Sequence, residues 1–301
     1  MYYLIYLLLY LVSLLPFFIL YGISDFFAFI LYHVIKYRKE VVLSNLSIAF
    51  PEKSAEERKK IARQFYHNLI DTFVEIIKLI SISDKAFAKR FTGNLEIINE
   101  LAKKGMNIQL HAGHQFNWEY GSLFMSKSVT AIPTYAIYMP INNKPMERLF
   151  LTIRQKYGTI FVKANEFKMR RDEIFSGRFT FFLAADQNPG SPDYAYWQYF
   201  FGKPAAFITG PEIGGIKNNT AIVFVRSKII KRGYYCCEST LITEEAGITG
   251  TGEITRAFRD FLEKIIKEEP ANYLWSHRRW KWEFNDKYKE KWIDHKSAPQ
   301  A

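Results

Sequence analysis

Charge is missing from the start of this chain. From Met1 to Ser24 there is no Asp, Glu, Lys, Arg or His. As one helix the run MYYLIYLLLYLVSLLPFFILYGIS would extend roughly 36 Å, enough for a bilayer core. It also lacks the basic opening and small-residue ending of a cleaved signal peptide. The chain stays largely apolar to Ile35, and then Lys36, Arg38 and Lys39 follow. Positive charge after the run and none before it predicts that the bulk of the chain lies on the cytoplasmic side of a membrane. Pro16 and Asp25 leave open a hairpin or a helix lying in the interface. A buried core helix is the remaining alternative.

Cysteine is nearly absent. Cys236 and Cys237 are the only two, and they are adjacent. Neighbouring cysteines rarely bridge, and two cannot supply a zinc site alone. A disulfide framework is therefore excluded, and the usage fits a reducing compartment. There is no internal repeat, low-complexity tract or interdomain linker. No G-x-S-x-G occurs, so a serine on a nucleophile elbow is excluded. What is abundant is aromatic side chain, at 17% of residues, and basic charge, with 41 Lys and Arg against 30 Asp and Glu. A net charge of +11 points to an acidic partner or an anionic surface. That charge is dispersed and follows an apolar segment, and no nucleic-acid motif accompanies it, so nucleic acid is not an expected partner.

Beyond Phe50-Pro51, Ser54 and Glu57 fit a capping box. The helix after them carries an apolar stripe at Ile61, Phe65, Leu69, Phe73, Ile77 and Ile80. After Asn94 short apolar runs alternate with helical stretches. Strands are predicted at 106–110, 130–138, 159–162, 179–185, 221–227 and 234–242, with helices over 145–157 and 253–267. This alternation implies an α/β fold with a mixed, mostly parallel sheet flanked by helices. The chain divides into a membrane anchor over residues 1–35 and one domain over 36–301.

Two of the six histidines stand in LHAGHQFNWEYGS, at His111 and His114, with Glu119 five residues after the second. The stretch directly follows a predicted strand, where α/β folds place their sites. A histidine acting as a base through one ring nitrogen needs an acceptor on the other. Glu119 could supply it if the turn folds back. The same residues also read as a hydrogen-bonded loop histidine beside a surface glutamate. A metal reading on His111, His114 and Glu119 has the wrong spacing for ligands on one helix face, so no metal is expected. Asp186 and Gln187 end the strand FFLAADQ. They line the same cleft mouth, or serve only the turn at Asn188-Pro189-Gly190. Lys203 and Arg226 could meet phosphate groups. The aromatic runs at 16–27 and 194–201 could form an apolar groove or pack as core.

In order along the chain stand Asn45-Leu46, Phe50-Pro51-Glu52, His114-x4-Glu119, Asp186-Gln187, FFGKPAAFITGP (200–211) and NYLWSHRRWKW (272–282). Together they resemble the late acyltransferases of lipid A biosynthesis, from about residue 30 to about residue 283. One departure is Tyr138-Met139-Pro140, where that family usually shows Tyr-Arg-Pro; Arg148 or Arg154 could compensate. The resemblance implies a glycerolphosphate acyltransferase-like fold at the inner membrane, with its catalytic domain on the cytoplasmic side. It implies transfer of a fatty acyl chain from an acyl carrier protein thioester to a hydroxyl of a lipid A precursor. His114 and Glu119 would be the catalytic pair, with no cofactor. Asp186, Gln187, Arg154, Lys203, Arg278 and Arg279 would touch substrate or carrier. A lysophospholipid or aminolipid acceptor, or a basic membrane-binding protein without catalysis, are the alternatives.

Overall fold

The structure is a computed structural model that describes residues 2–299. The helices are α1 (Tyr2–Leu14), α2 (Phe17–Phe29, widening into a π-turn at Ile30–Ile35), α3 (Lys39–Ala49), α4 (Ala55–Lys78), α5 (Asp84–Arg90), α6 (Glu96–Lys103), α7 (Trp118–Ser128), α8 (Lys144–Arg154), α9 (Ala164–Phe175), α10 (Gly210–Lys217) and α11 (Glu253–Glu268). The strands are β1 (Phe91–Gly93), β2 (Ile108–Ala112), β3 (Thr134–Tyr138), β4 (Ile160–Lys163), β5 (Thr180–Ala184), β6 (Ala195–Phe200), β7 (Lys203–Ile208), β8 (Ala221–Lys231) and β9 (Tyr234–Thr243).

Seven strands form one sheet in the order β1-β9-β8-β2-β5-β3-β4. Every pairing is parallel except β8 with β9, which is an antiparallel hairpin. The mixed, mostly parallel α/β sheet expected from the alternation is therefore present. Its central strand β2 is buried along its whole length, as a strand covered on both faces must be. After β2 the chain builds β3, β4 and β5 on one side, then β8 and β9 on the other. The crevice beyond the carboxyl end of β2 lies at that reversal, where open sheets place their ligands.

β6 and β7 make a separate two-stranded antiparallel sheet that the sequence reading did not separate. Its turn is Phe201-Gly202, both with positive φ (50° and 73°), the conformation a two-residue hairpin needs. The aromatic run at 194–201 thus packs largely as core: Trp197 and Phe200 are fully buried, and Trp197 stacks on Tyr288 at 4.9 Å. The cysteine pair sits on β9, with Cys237 buried and its thiol pushed up to about 12 by burial, which makes it inert.

The amino-terminal run does not form one helix. Pro16 lacks an N–H and ends the first turn series, so α1 and α2 are separate. The exposed carbonyls at the end of α1 are met by Lys78, whose Nζ donates to Ser13 O (2.7 Å) and Leu15 O (2.9 Å), and by Ser81, whose Oγ donates to Ser13 O (2.8 Å). Both helices pack on α4. Polar ties join α2 to α4 as well: Ser24 Oγ donates to Asp71 Oδ1 (2.6 Å) and Tyr21 OH to Glu75 Oε1 (2.8 Å). Among the described residues, Phe17–Ile35 is the one helical stretch long and apolar enough to cross a membrane by length and composition. The outward faces of α1, α2 and the π-turn expose Leu4, Leu8, Phe18, Phe26, Phe29 and Ile35.

Helix α4 begins on the expected capping box, with the Ser54 hydroxyl accepting from Glu57 N and the Glu57 carboxylate accepting from Ser54 N. Its apolar stripe is only partly core. Phe65 and Leu69 are buried, whereas Phe73 is 47% exposed and stands at the wall of a groove described next.

Candidate active site

β2 and β5 are adjacent and parallel, with Ala112 paired to Ala184. His114 follows Ala112 by two residues and Asp186 follows Ala184 by two, so equal offsets from one rung bring them together. Ala185 N donates to Ala112 O (2.9 Å) and keeps the two loops in step. Asp186 Oδ2 accepts the backbone N–H of His114 (2.9 Å), and Asp186 Oδ1 accepts from His114 Nδ1 (2.7 Å). Gln187 Nε2 lies 3.2 Å from His114 Nε2. A donor there and a carboxylate on Nδ1 fix the imidazole tautomer: the proton sits on Nδ1 and the lone pair on Nε2.

The expectation that Glu119 orients the imidazole is corrected by this geometry, because Asp186 holds Nδ1. Glu119 instead stands in the first turn of α7, where Asn117 caps the helix by accepting from Glu119 N (3.0 Å) and Tyr120 N (3.1 Å). That cap points the Glu119 carboxylate at α8. Arg154 donates to it from both Nε (2.8 Å) and Nη2, and Trp118 Nε1 donates at 3.2 Å. Glu119 still acts on His114 through charge. Burial alone would lower the His114 pKa, but the Asp186 charge and hydrogen bond, then the Glu119 charge, raise it above its ordinary value. Burial opposes ionisation of Asp186 too, yet His114 and its backbone N–H hold that carboxyl below the usual range. The site is an Asp–His pair, with Asp186 buried, His114 half-buried and Nε2 covered by Gln187 at the edge of a cleft.

The loop between β2 and α7 is tightly packed. A Cβ at Gly113 would come within 2.7 Å of Leu262 Cδ2 and 2.8 Å of Gln115 Nε2, so a larger residue would have to displace both side chains. Asn272 Oδ1 accepts from Phe116 N (2.8 Å), and Asn117 Nδ2 donates to the fully buried Glu75 (2.8 Å). His111 faces the other way. It lies against the Gln109 side-chain amide at 2.9 Å and stacks on Phe224, and burial pushes its pKa down to about 3. His111 is a neutral core residue and shares no site with His114.

An apolar groove of about 470 Å³ opens beside the pair. Leu31, Leu69, Phe73 and Leu274 wall it, while Trp118, Gln187 and His277 form the end nearest His114 and Arg38 lines it as well. Its size is that of a small-ligand pocket. Sequence motifs far apart meet here. Asn45 Nδ2 donates to the carbonyls of Trp275 (2.8 Å) and His277 (2.7 Å), and Phe50 packs on Trp275. The Asn-Leu and Phe-Pro segments therefore hold the loop that carries His277.

The remaining candidates separate. Arg154 reaches the site through Glu119, whereas Arg148 lies over the Tyr2 ring at 4.4 Å and Met139 is 77% exposed. Arg226 follows Val225, the β8 partner of Ala112, but its guanidinium is bound by Glu238 and Glu268. Lys203 is exposed beside the β6–β7 turn, and none of the described hydrogen bonds joins it to His114. Arg278 is exposed. Arg279 is not on that surface. It is 1% exposed, donates to Asn188 Oδ1 (3.0 Å) and Ala206 O (2.8 Å), and lies over the Phe207 ring at 4.1 Å. It anchors the turn after Asp186 to β7, and its burial excludes it as a docking residue.

The chain is 25% identical over 250 residues to the lipid A biosynthesis palmitoleoyltransferase of Escherichia coli (strain K12), covering 82% of this chain and 80% of that one. It is equally similar to a lipid A biosynthesis acyltransferase of Shigella flexneri. A second Shigella flexneri protein, lipid A biosynthesis acyltransferase 2, is 22% identical over 237 residues, or 77% and 74% of the two chains. The sequence model of the bacterial lipid A biosynthesis acyltransferases matches residues 1–282, and with it the chain belongs to that family of acyltransferase enzymes.

Proposed function

We propose that this enzyme moves a fatty acyl chain from an acyl carrier protein thioester to a hydroxyl of a lipid A precursor, with His114 as general base. The observation that carries the reading is the Asp186-held imidazole, whose Nε2 meets Gln187, a residue that lines the apolar groove. An alcohol is a poor nucleophile at neutral pH, so its proton must leave during attack. His114 Nε2 takes that proton as the oxygen bonds to the thioester carbonyl carbon. Collapse of the tetrahedral intermediate re-forms the carbonyl, breaks the C–S bond and returns the proton to the departing thiolate. Asp186 holds the tautomer and stabilises the imidazolium that forms. Glu119, held by Arg154, adds a second negative charge nearby. Gln187 must move aside for the acceptor hydroxyl. No covalent enzyme intermediate is required.

The exposed apolar face of α1, α2 and the π-turn would lie in the inner membrane on its cytoplasmic side. Lys36, Arg38 and Lys39, directly after that face, are suited to anionic headgroups. The groove, walled in part by Leu31 of the π-turn, then opens where a lipid acceptor would be presented.

The test is acylation by the detergent-purified chain, supplied with acyl carrier protein thioester and a lipid A precursor. The expected product carries one more acyl chain, and His114→Ala yields none. Met139, in place of the arginine usual at this position, removes a charged contact and makes a less anionic acceptor the second candidate. A lysophospholipid and an aminolipid are therefore run in parallel. Acylation of one of these alone would redirect the acceptor, and acylation of none would overturn the reading.

Carrier docking has its own signature. Arg278→Glu together with Lys281→Glu should raise KM for the carrier thioester about tenfold, as expected from two exposed pairs worth under 1 kcal/mol each before reversal. Added salt should mimic the change. Acyl-coenzyme A turnover should hardly respond. Equal losses with both donors would place the effect in folding or lipid contact.

A further inference from the structure

Acyl transfer from a thioester creates an oxyanion, and its stabilisation needs a donor that does not exchange its proton with the base. Asp186 and Glu119 are acceptors when ionised, and Gln187 is engaged with His114 Nε2. One further group stands at this end of the groove. His277 Nε2 accepts the backbone N–H of Asn188 at 3.2 Å. A nitrogen that accepts from an amide carries no proton, so a neutral His277 must be protonated on Nδ1. Nδ1 takes part in none of the described hydrogen bonds, and His277 lines the groove beside Gln187 and Trp118.

Neutrality is built in. Burial is the first cause that lowers the His277 pKa, to about 4; the Asp186 charge opposes that shift, and Arg279, His114 and Arg38 add smaller contributions to it. The backbone carrying the ring is held at three points. His277 N donates to Leu274 O (3.1 Å), Asn45 Nδ2 donates to His277 O (2.7 Å), and Arg38 Nη1 donates to Ser276 O (3.1 Å). A donor fixed before the reaction loses nothing to reorganisation when charge develops.

Resting on the acyl-transfer reading above, we propose that His277 is a second catalytic histidine that donates Nδ1–H to the oxyanion of the tetrahedral intermediate. His114 and His277 then divide the chemistry by tautomer. His114 offers a lone pair on Nε2 and moves a proton. His277 offers a proton on Nδ1 and keeps it throughout. As the acceptor oxygen attacks, the carbonyl electron pair moves onto oxygen and strengthens the bond from His277. On collapse the pair returns, and the bond weakens again.

Two measurements on the full-length chain in detergent test this. Nitrogen-15 NMR of the imidazoles should show His277 protonated on Nδ1, bare on Nε2 and unchanged from about pH 5 to 8. Titration near the ordinary histidine value, or a proton on Nε2, would overturn the assignment whatever the enzyme acylates. In kinetics, His277→Leu should lower kcat by about 10²–10³-fold with little change in either KM, as for loss of one oxyanion donor. His277→Gln can accept from Asn188 N and donate from its amide, so it should recover most of the loss. Thermal unfolding of both variants checks that the loop stays folded. A leucine variant as active as the glutamine variant would overturn the donor role. A chain that acylates no acceptor at all would instead overturn the acyl-transfer reading, and the NMR result would still decide the tautomer.

Discussion

Asp186→Asn is expected to lower kcat by about 10³–10⁴-fold without unfolding the protein, the scale seen when a triad carboxylate becomes an amide. The two carboxylate oxygens do separate jobs. One accepts the backbone N–H of His114, and the other accepts from Nδ1. An asparagine has a single acceptor oxygen. The backbone N–H cannot give up its acceptor, so the asparagine NH₂ turns toward the ring. Nδ1 must then accept, the proton moves to Nε2, and the base is lost. The pH profile should change with it. Asp186 and Glu119 raise the His114 pKa, and the base form is present only above it. Removing the Asp186 charge lowers that pKa, so the acid limb of kcat/KM should move to lower pH while the plateau falls. Glu119→Gln should give a different signature. It leaves the Nδ1 contact intact, but a bidentate partner of Arg154 is gone, so stability should fall along with rate. A fully active Asp186→Asn enzyme would remove Asp186 from the machinery and return the orienting role to Glu119.

Why the sequence pointed to Glu119 is plain from the geometry. A five-residue spacing is visible in one dimension, and the Asp186 partnership is visible only after β2 and β5 are paired in register. The signal was nonetheless present: both His114 and Asp186 stand two residues past an apolar strand. Most strands of the large sheet could be read because they are β-branched and aromatic runs bounded by polar turns, and β2 (IQLHA) because it is a short apolar run between Gly105 and Gly113. The three-residue β1 could not, being too short to show a period. The β6–β7 hairpin was hidden because its turn is Phe-Gly rather than a familiar Asn-Gly, and its aromatics run on both sides of it. Arg279 was misplaced for a similar reason. In HRRWKW every cation reads as surface, and only the packed rings of Phe200 and Phe207 show that this one is buried. Pro16 did announce the break in the first helix, but the uncharged length of the run suggested a single span.

That break leads to the second large effect. A chain beginning at Tyr37 is expected to lose its fold as well as its membrane attachment, because α2 is part of the protein's core surface. Leu20 and Ala28 are each 1% exposed, and Tyr32 packs edge-on against Tyr66 of α4 at 5.4 Å. Removing these helices uncovers Leu69, Tyr66 and Ile76 of α4. At about 1.5–3 kcal/mol for a fully buried large side chain, partial exposure of three costs about 3–6 kcal/mol. That is a large part of the 5–15 kcal/mol typical of a folded protein. Asp71 and Glu75 would also lose the Ser24 and Tyr21 donors, and Glu75 is linked through Asn117 to the cap of α7 that presents Glu119. The groove would lose Leu31 from its wall. Point substitutions separate packing from anchoring. Leu20→Ala, facing inward, should cost about 2–5 kcal/mol, read as a lowered Tm, with vesicle binding retained. Phe18→Ser with Phe26→Ser, at positions 75% and 61% exposed, should leave Tm nearly unchanged in detergent and release the protein from anionic vesicles. If Leu20→Ala proved neutral for stability while the outward pair lowered Tm, α2 would be reversed from the face described here.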